Sequence, residues 1–163
     1  MKLLQIITPV IIFVATSNVL LSMDTTQVRQ QNKTLPWINE LSKSNPDLGI
    51  IKQIVQQKAA NVNTAAIVPH KDGVISKYAI LEAAKQRDWD LVEILLEAGA
   101  NPTVTTELRH SAVRYAIYVA KIDILTKLIQ KGVQTNIPDY NGTTDEQVAS
   151  LFGLDLLALH QKN

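Results

Sequence analysis

Between Asp88 and Pro102 the chain reads DWDLVEILLEAGANP, and this stretch restricts the possible folds more than any other. Leu91, Val92, Leu95, Leu96 and Ala98 recur near one face at the 3.6-residue helical period. Asp88 and Asp90 stand where the helix dipole favours negative charge, and Asp88 is placed to cap. Gly99 follows the last periodic residue, where a left-handed backbone is usual and glycine adopts it cheaply. Pro102 then prevents continuation.

The pattern returns. Ile122 to Asn136 reads IDILTKLIQKGVQTN, and Gly132 lies 33 residues beyond Gly99. The same shift carries Asp90 onto Asp123, Leu91 onto Ile124, Val92 onto Leu125, Leu95 onto Leu128 and Leu96 onto Ile129. Ahead of each helix lies another short apolar helix, with Ala83 and Ala84 matched by Ala116 and Ile117. A fixed period of this size marks stacked helical units, each too small to bury its apolar face alone.

These residues resemble the ankyrin repeat family. The likeness is carried by DLVEILLEAGANP at Asp90–Pro102, DILTKLIQKGVQTN at Asp123–Asn136 and DYNGTT at Asp139–Thr144, with Ala149 and Gly153 at similar spacings. LGIIKQIVQQKAANVN at Leu48–Asn63 is similar in its outer helix and its closing Asn-Val-Asn. The Thr-Pro-Leu-His signature of the family is replaced by Tyr78-Ala79-Ile80-Leu81 and by Ser111-Ala112-Val113-Arg114; of it only Thr144 survives. The resemblance runs from about Leu35 to the C-terminus. It implies an all-α fold, an ankyrin-like solenoid of about three to four helix-turn-helix units joined by β-turn loops. It also implies a non-enzymatic module that binds another protein.

Met1–Ser22 has a different composition. After Lys2, Leu3–Leu21 is largely apolar and carries no charge. It reads as a secretory signal peptide with possible cleavage after Ser17 or Ser22, or as an uncleaved membrane anchor. Residues 23–34 are a polar leader without periodicity, and 35–163 form the repeat domain. The expected location is therefore outside the cytoplasm, in a bacterial periplasm or secreted, or else anchored in the inner membrane. Without Lys2 the chain has 15 basic and 15 acidic residues, which gives no electrostatic footprint for nucleic acid or for an anionic membrane. There is no cysteine, hence no disulfide and no thiolate metal site. A monomer is expected.

Along the domain, Leu35, Trp37, Ile38 and Leu41 form an apolar cluster with Pro36 suited to a first helical turn. Ile50, Ile51, Ile54 and Val55 continue into an outer helix. Ala59-Ala60-Asn61 precedes Gly99-Ala100-Asn101 by 40 residues rather than 33, and the excess falls around Val68–Gly73. Asp72-Gly73 is a hairpin-turn signal, so this insertion should project, either for recognition or without a role. Tyr78–Lys85 and Ala112–Val119 read as inner helices, and Ile122–Gln130 as an outer one. Trp89 either packs between paired helices or shows its indole to a partner.

The search for chemistry finds little. His70, His110 and His160 are far apart, and no HExxH, GxSxG, phosphate loop or dinucleotide fingerprint is present. Asp139, Asn141, Asp145 and Glu146 lack the ligand run of a calcium loop and read better as a β-turn and helix start. Nothing points to a cofactor, and a metal-dependent hydrolase on a helical scaffold is a remote alternative. By the resemblance, binding residues lie at turn tips and inner-helix ends: Lys85, Gln86, Leu108, His110, Tyr118, Val119, Tyr140, Leu151 and Phe152. Tyr118, Tyr140, Leu151 and Phe152 are apolar or aromatic where water is expected, which suits either a protein interface or a self-packed C-terminal cap.

Overall fold

A computed structural model describes residues 36–71 and 73–160. The expected signal or anchor segment 1–22 and the whole of the leader 23–34 therefore lie outside the described residues. Eight helices and one hairpin are described: α1 (36–42), α2 (Leu48–Gln56), β1 (Ala66–His70), β2 (Gly73–Lys77), α3 (Ala79–Lys85), α4 (Trp89–Glu97), α5 (Ala112–Ile117), α6 (Ile122–Gln130), α7 (Asp145–Leu151) and α8 (Leu156–His160). They make four helix pairs. The inner row contains α3, α5 and α7 in contact, and the outer row α2, α4, α6 and α8. Successive inner helices begin at Ala79, Ala112 and Asp145, each 33 residues after the last.

The core lies between the rows. Leu91, Val92 and Leu95 of α4, with Ile124, Leu125 and Leu128 of α6, have no exposed surface. Ala83, Ala84, Ala116 and Ala149 are equally buried, because small residues on the inner helices allow neighbouring pairs to approach closely. Trp37 is also fully buried, and its indole donates to the Thr64 carbonyl at 2.8 Å. Trp89 is half-buried and packed on the core. Ala98 is a correction: it is exposed and ends α4 rather than joining its apolar face.

Helix starts follow local chemistry. Asp47, Asp88, Ser111 and Thr144 cap α2, α4, α5 and α7 through side-chain oxygens. Thr144 and Gln147 form a reciprocal capping box. The inner helices are shorter than the sequence suggests: Tyr78 precedes α3 as its cap, and α5 stops at Ile117, leaving Val119 beyond it. The chain turns just beyond that end, at Ala120, with a left-handed φ of 50°. Arg87 and Gly153, at 63° and 68°, hold the equivalent bends 33 residues before and after it.

The insertion is an antiparallel hairpin. Its register runs from Ala66 opposite Lys77 to His70 opposite Gly73, with Pro69 opposite Val74. Ala66 and Val68 face the core, while Ile67 and Val74 are exposed. Side chains also staple neighbouring pairs. Asn63 donates to the Gly99 carbonyl at 3.0 Å and accepts from the Asn101 amide at 2.6 Å, and Thr135 donates to Glu146 at 2.8 Å.

Gly99 and Gly132 occupy matching bends at φ 86° and 90°, and a Cβ built on either meets no atom within 4 Å. Gly132→Ala should therefore cost about 1 kcal/mol through backbone conformation alone. Ala120→Gly should shift stability the other way. Paired thermal melts check the sign: a lower Tm for the first and a higher Tm for the second.

Candidate binding surface

Two surface features and one buried network occupy the inner-helix side. The first feature is a groove of about 270 Å³ between β2, α3, α5 and the loop 103–111. Ile75, Leu81, Leu108 and Tyr115 give it apolar walls, and Lys77, Glu82, Lys85 and Glu107 its charges. Burial raises the Tyr115 hydroxyl pKa above its usual value, and the nearby Glu82 and Glu107 carboxylates push it further in the same direction.

The second is an aromatic edge at the C-terminal ends of α5 and α7. Tyr118 and Phe152 meet edge-to-face with ring centroids 5.9 Å apart. They remain 46% and 51% exposed, and neighbouring Leu151 is 85% exposed. At the turn tips, Tyr140 donates its amide to the Leu108 carbonyl and carries the Arg109 guanidinium 5.0 Å from its ring centre.

The buried network centres on Arg114. Its guanidinium pairs through Nε with Asp145, through Nη1 with Asp139 at 3.0 Å, and donates through Nη2 to the Thr143 carbonyl at 3.0 Å. Asp139 also accepts the amides of Asn141 and Thr143, and Asp145 accepts the Ser111 hydroxyl at 3.3 Å. His110 stands 3.4 Å from Asp139. The Thr143 amide, the Asn141 amide and Arg114 outweigh burial and hold the Asp139 carboxyl at about 2. Burial instead raises Asp145, against the opposing pull of Arg114. These residues form one structural joint between the last two helix pairs, since every strong donor and acceptor in it already has a partner.

Of the residues expected to bind, Tyr118, Leu151 and Phe152 come together in the aromatic edge, with Val119 half-buried beside them. Leu108 and Tyr140 are exposed and linked at the tips. Lys85 is exposed on the groove, and Gln86 donates to the Pro46 carbonyl at 3.3 Å. His110 is half-buried and turned toward Asp139. The Arg114 joint was missed from sequence. Its signal was an arginine among Val113, Ala116 and Ile117, on the face that must be buried. Among the described residues no cluster of three or more His, Asp or Glu is arranged to hold a metal ion.

No protein-family model matches the sequence, and no curated protein sequence matches it. The structure is similar to the crystal structure of the ankyrin repeat domain of Bcl-3, described as a unique member of the IkappaB protein family. The TM-score is 0.52 at 20% sequence identity, over 65% of this chain and 44% of that one. The chain thus spans less than half the length of that domain, and the likeness establishes an ankyrin-repeat-like fold.

The pH response of the joint follows from Asp139. Its folded carboxyl lies below the free value of 3.8, so its stabilisation is fully present above that pH and is lost as pH falls toward about 2. The raised Asp145 works in the opposite sense, favouring the fold at low pH and giving that up as pH rises through its folded value. Asp139→Asn should therefore flatten the acid limb of stability between pH 3.8 and about 2. Arg114→Leu, which strands a buried carboxylate, should cost about 3 kcal/mol at neutral pH. Urea titrations across pH check both.

Proposed function

From the ankyrin-repeat-like fold as premise, we propose that this chain is a non-enzymatic protein-binding module. The observation that carries the reading is the exposed Tyr118–Phe152 pair with Leu151 beside it. Aromatic area left in water on a rigid helical face is the composition of an interface hot spot, and its two elements are held by the Arg114 joint. The partner is another protein, as the fold suggests, and the balance of charge offers no footprint for nucleic acid.

The same reading extends to location. Leu3–Leu21, apolar and uncharged, supports export, with the protein acting on an exported or periplasmic partner as an inhibitor or protector. The second reading is a structural adaptor tethered by that segment, which its length favours. N-terminal sequencing of the native protein distinguishes them: a start after Ser17 or Ser22 means release, and an intact Met1 means tethering.

The doubly substituted Tyr118→Ala/Phe152→Ala chain should lose capture of exported proteins by at least tenfold and keep its helical circular dichroism. Unchanged capture would remove the aromatic edge from the function. Loss of helicity would assign the pair to the C-terminal cap.

A further inference from the structure

The hairpin has two edges, and its register makes them unlike. The ladder closes at His70 opposite Gly73 with two residues between them, which makes that a hydrogen-bonded pair. Pairs alternate along an antiparallel ladder, so Val68–Ile75 and Ala66–Lys77 are hydrogen-bonded, while Pro69–Val74 and Ile67–Ser76 are not. Pro69 fits this phase, because a residue without an N–H costs the ladder nothing at a non-bonded position. The backbone groups of Ile67 and Pro69 therefore point outward from β1, and those of Val74 and Ser76 outward from β2. On β1 the proline removes one of the two outward donors. On β2 both donors and both acceptors are intact, and none has a partner among the described residues.

The open edge borders a groove. Ile75, Ser76 and Lys77 line one side of it and no β1 residue does, so the outward margin of β2 is the one that faces it, with the loop 103–111 across from it. Val74 is 70% exposed and Ser76 is exposed, so the edge is accessible. Lys77, paired inward with Ala66 and tied by its ammonium to the Lys43 carbonyl, ends the open stretch. The charges of the groove cancel, Lys77 and Lys85 against Glu82 and Glu107. Its remaining walls are mainly apolar, from Ile75, Leu81, Leu108 and Tyr115, so the side chain it suits is uncharged.

We propose that an extended, uncharged segment of the partner protein adds to the outward edge of β2 as a third strand. The open groups at Val74 and Ser76 recur at every second residue, roughly 7 Å apart, which is the repeat of an extended main chain. The residue of that segment beside Ile75 lies on the same face of the ribbon and enters the groove, whose volume of about 270 Å³ suits a side chain rather than a folded element. Its neighbours lie beside Val74 and Ser76 on the face that meets water. Pro69 confines the addition to one side of the hairpin. The proposal rests on the protein-binding reading above and names the form and chemistry of one contact within it.

The test uses the full chain and three synthetic probes: acetyl-Thr-Val-Thr-Val-Thr-amide, its counterpart methylated on every amide nitrogen, and acetyl-Thr-Asp-Thr-Asp-Thr-amide. Amide NMR shifts and hydrogen exchange are the readouts. Without probe, the Val74 and Ser76 amides should exchange at least tenfold faster than that of Ile75. The valine probe should shift both saturably and slow their exchange at least tenfold, and the methylated and aspartate probes should bind at least tenfold more weakly. Ser76→Pro removes an outward donor and no hairpin bond, so it should keep its helical circular dichroism and lose the probe. Should it unfold, the methylated probe decides alone. No saturable response, an equal response to either counterpart, or binding retained by folded Ser76→Pro would each overturn the proposal. So would slow Val74 and Ser76 exchange without probe, which means cover by the leader if the chain is monomeric and by a second copy if the slowing grows with protein concentration. If the proposal fails while capture still depends on Tyr118 and Phe152, only the added strand falls. If both fail, the binding reading falls with it.

Discussion

Burial between neighbouring helix pairs is the interaction on which everything else in this chain depends. A pair such as α3–α4 has an apolar side too broad to hide within itself, so it needs α5–α6 against it. Alanines on the inner row permit the approach, and leucines, isoleucines and valines on the outer row fill the space. The bends then repeat because the packing repeats. Arg87, Ala120 and Gly153 all turn left-handed at the same place in successive units, although only one of them is glycine. Stacking overrides the local preference of the other two, whose strained backbone is held by the packing on both sides.

The exposed features are consequences of that arrangement. An inner row packed on one side leaves its other side, and the turn tips above it, open to solvent. The Arg114 joint keeps the last two tips in register, since Ser111, Asp139, Thr143 and Asp145 all converge on one guanidinium or its carboxylate partners. An apolar residue at that position would pack, but it would not fix the turn at Asn141–Thr143 as three donors and two carboxylates do. The positions of Tyr118 and Phe152 depend on it, because they lie on the two helices that the joint ties together.

Much of this was legible in the residues. Gly99 and Gly132 announced the repeat because a glycine at a helix end carries a backbone requirement, and Ile122–Gln130 matched its helix end to end. Asp72-Gly73 signalled the turn of the insertion, and Gly73 duly begins β2. What stayed hidden were long-range polar matters. Arg114 finds its acids 25 and 31 residues later, and no local periodicity encodes such a pairing. Ala120 gave no sign of its left-handed turn, since alanine favours a continuing helix. Aromatic exposure at Tyr118, Tyr140 and Phe152 could be anticipated; the contact of Tyr118 with Phe152 required the stack.

The hairpin between the first two helix pairs has a further consequence. Among the described residues the ribbon has two strands, and the edge of such a ribbon can offer amides and carbonyls to an extended chain. Exposed Ile67 and Val74 would make that offer attractive to another copy. Pro69 interrupts it by removing one donor from β1, and Lys77 sets a charge near the end of β2. The ribbon thus combines two exposed apolar side chains with two features that oppose edge-to-edge pairing, a proline in one strand and a lysine in the other.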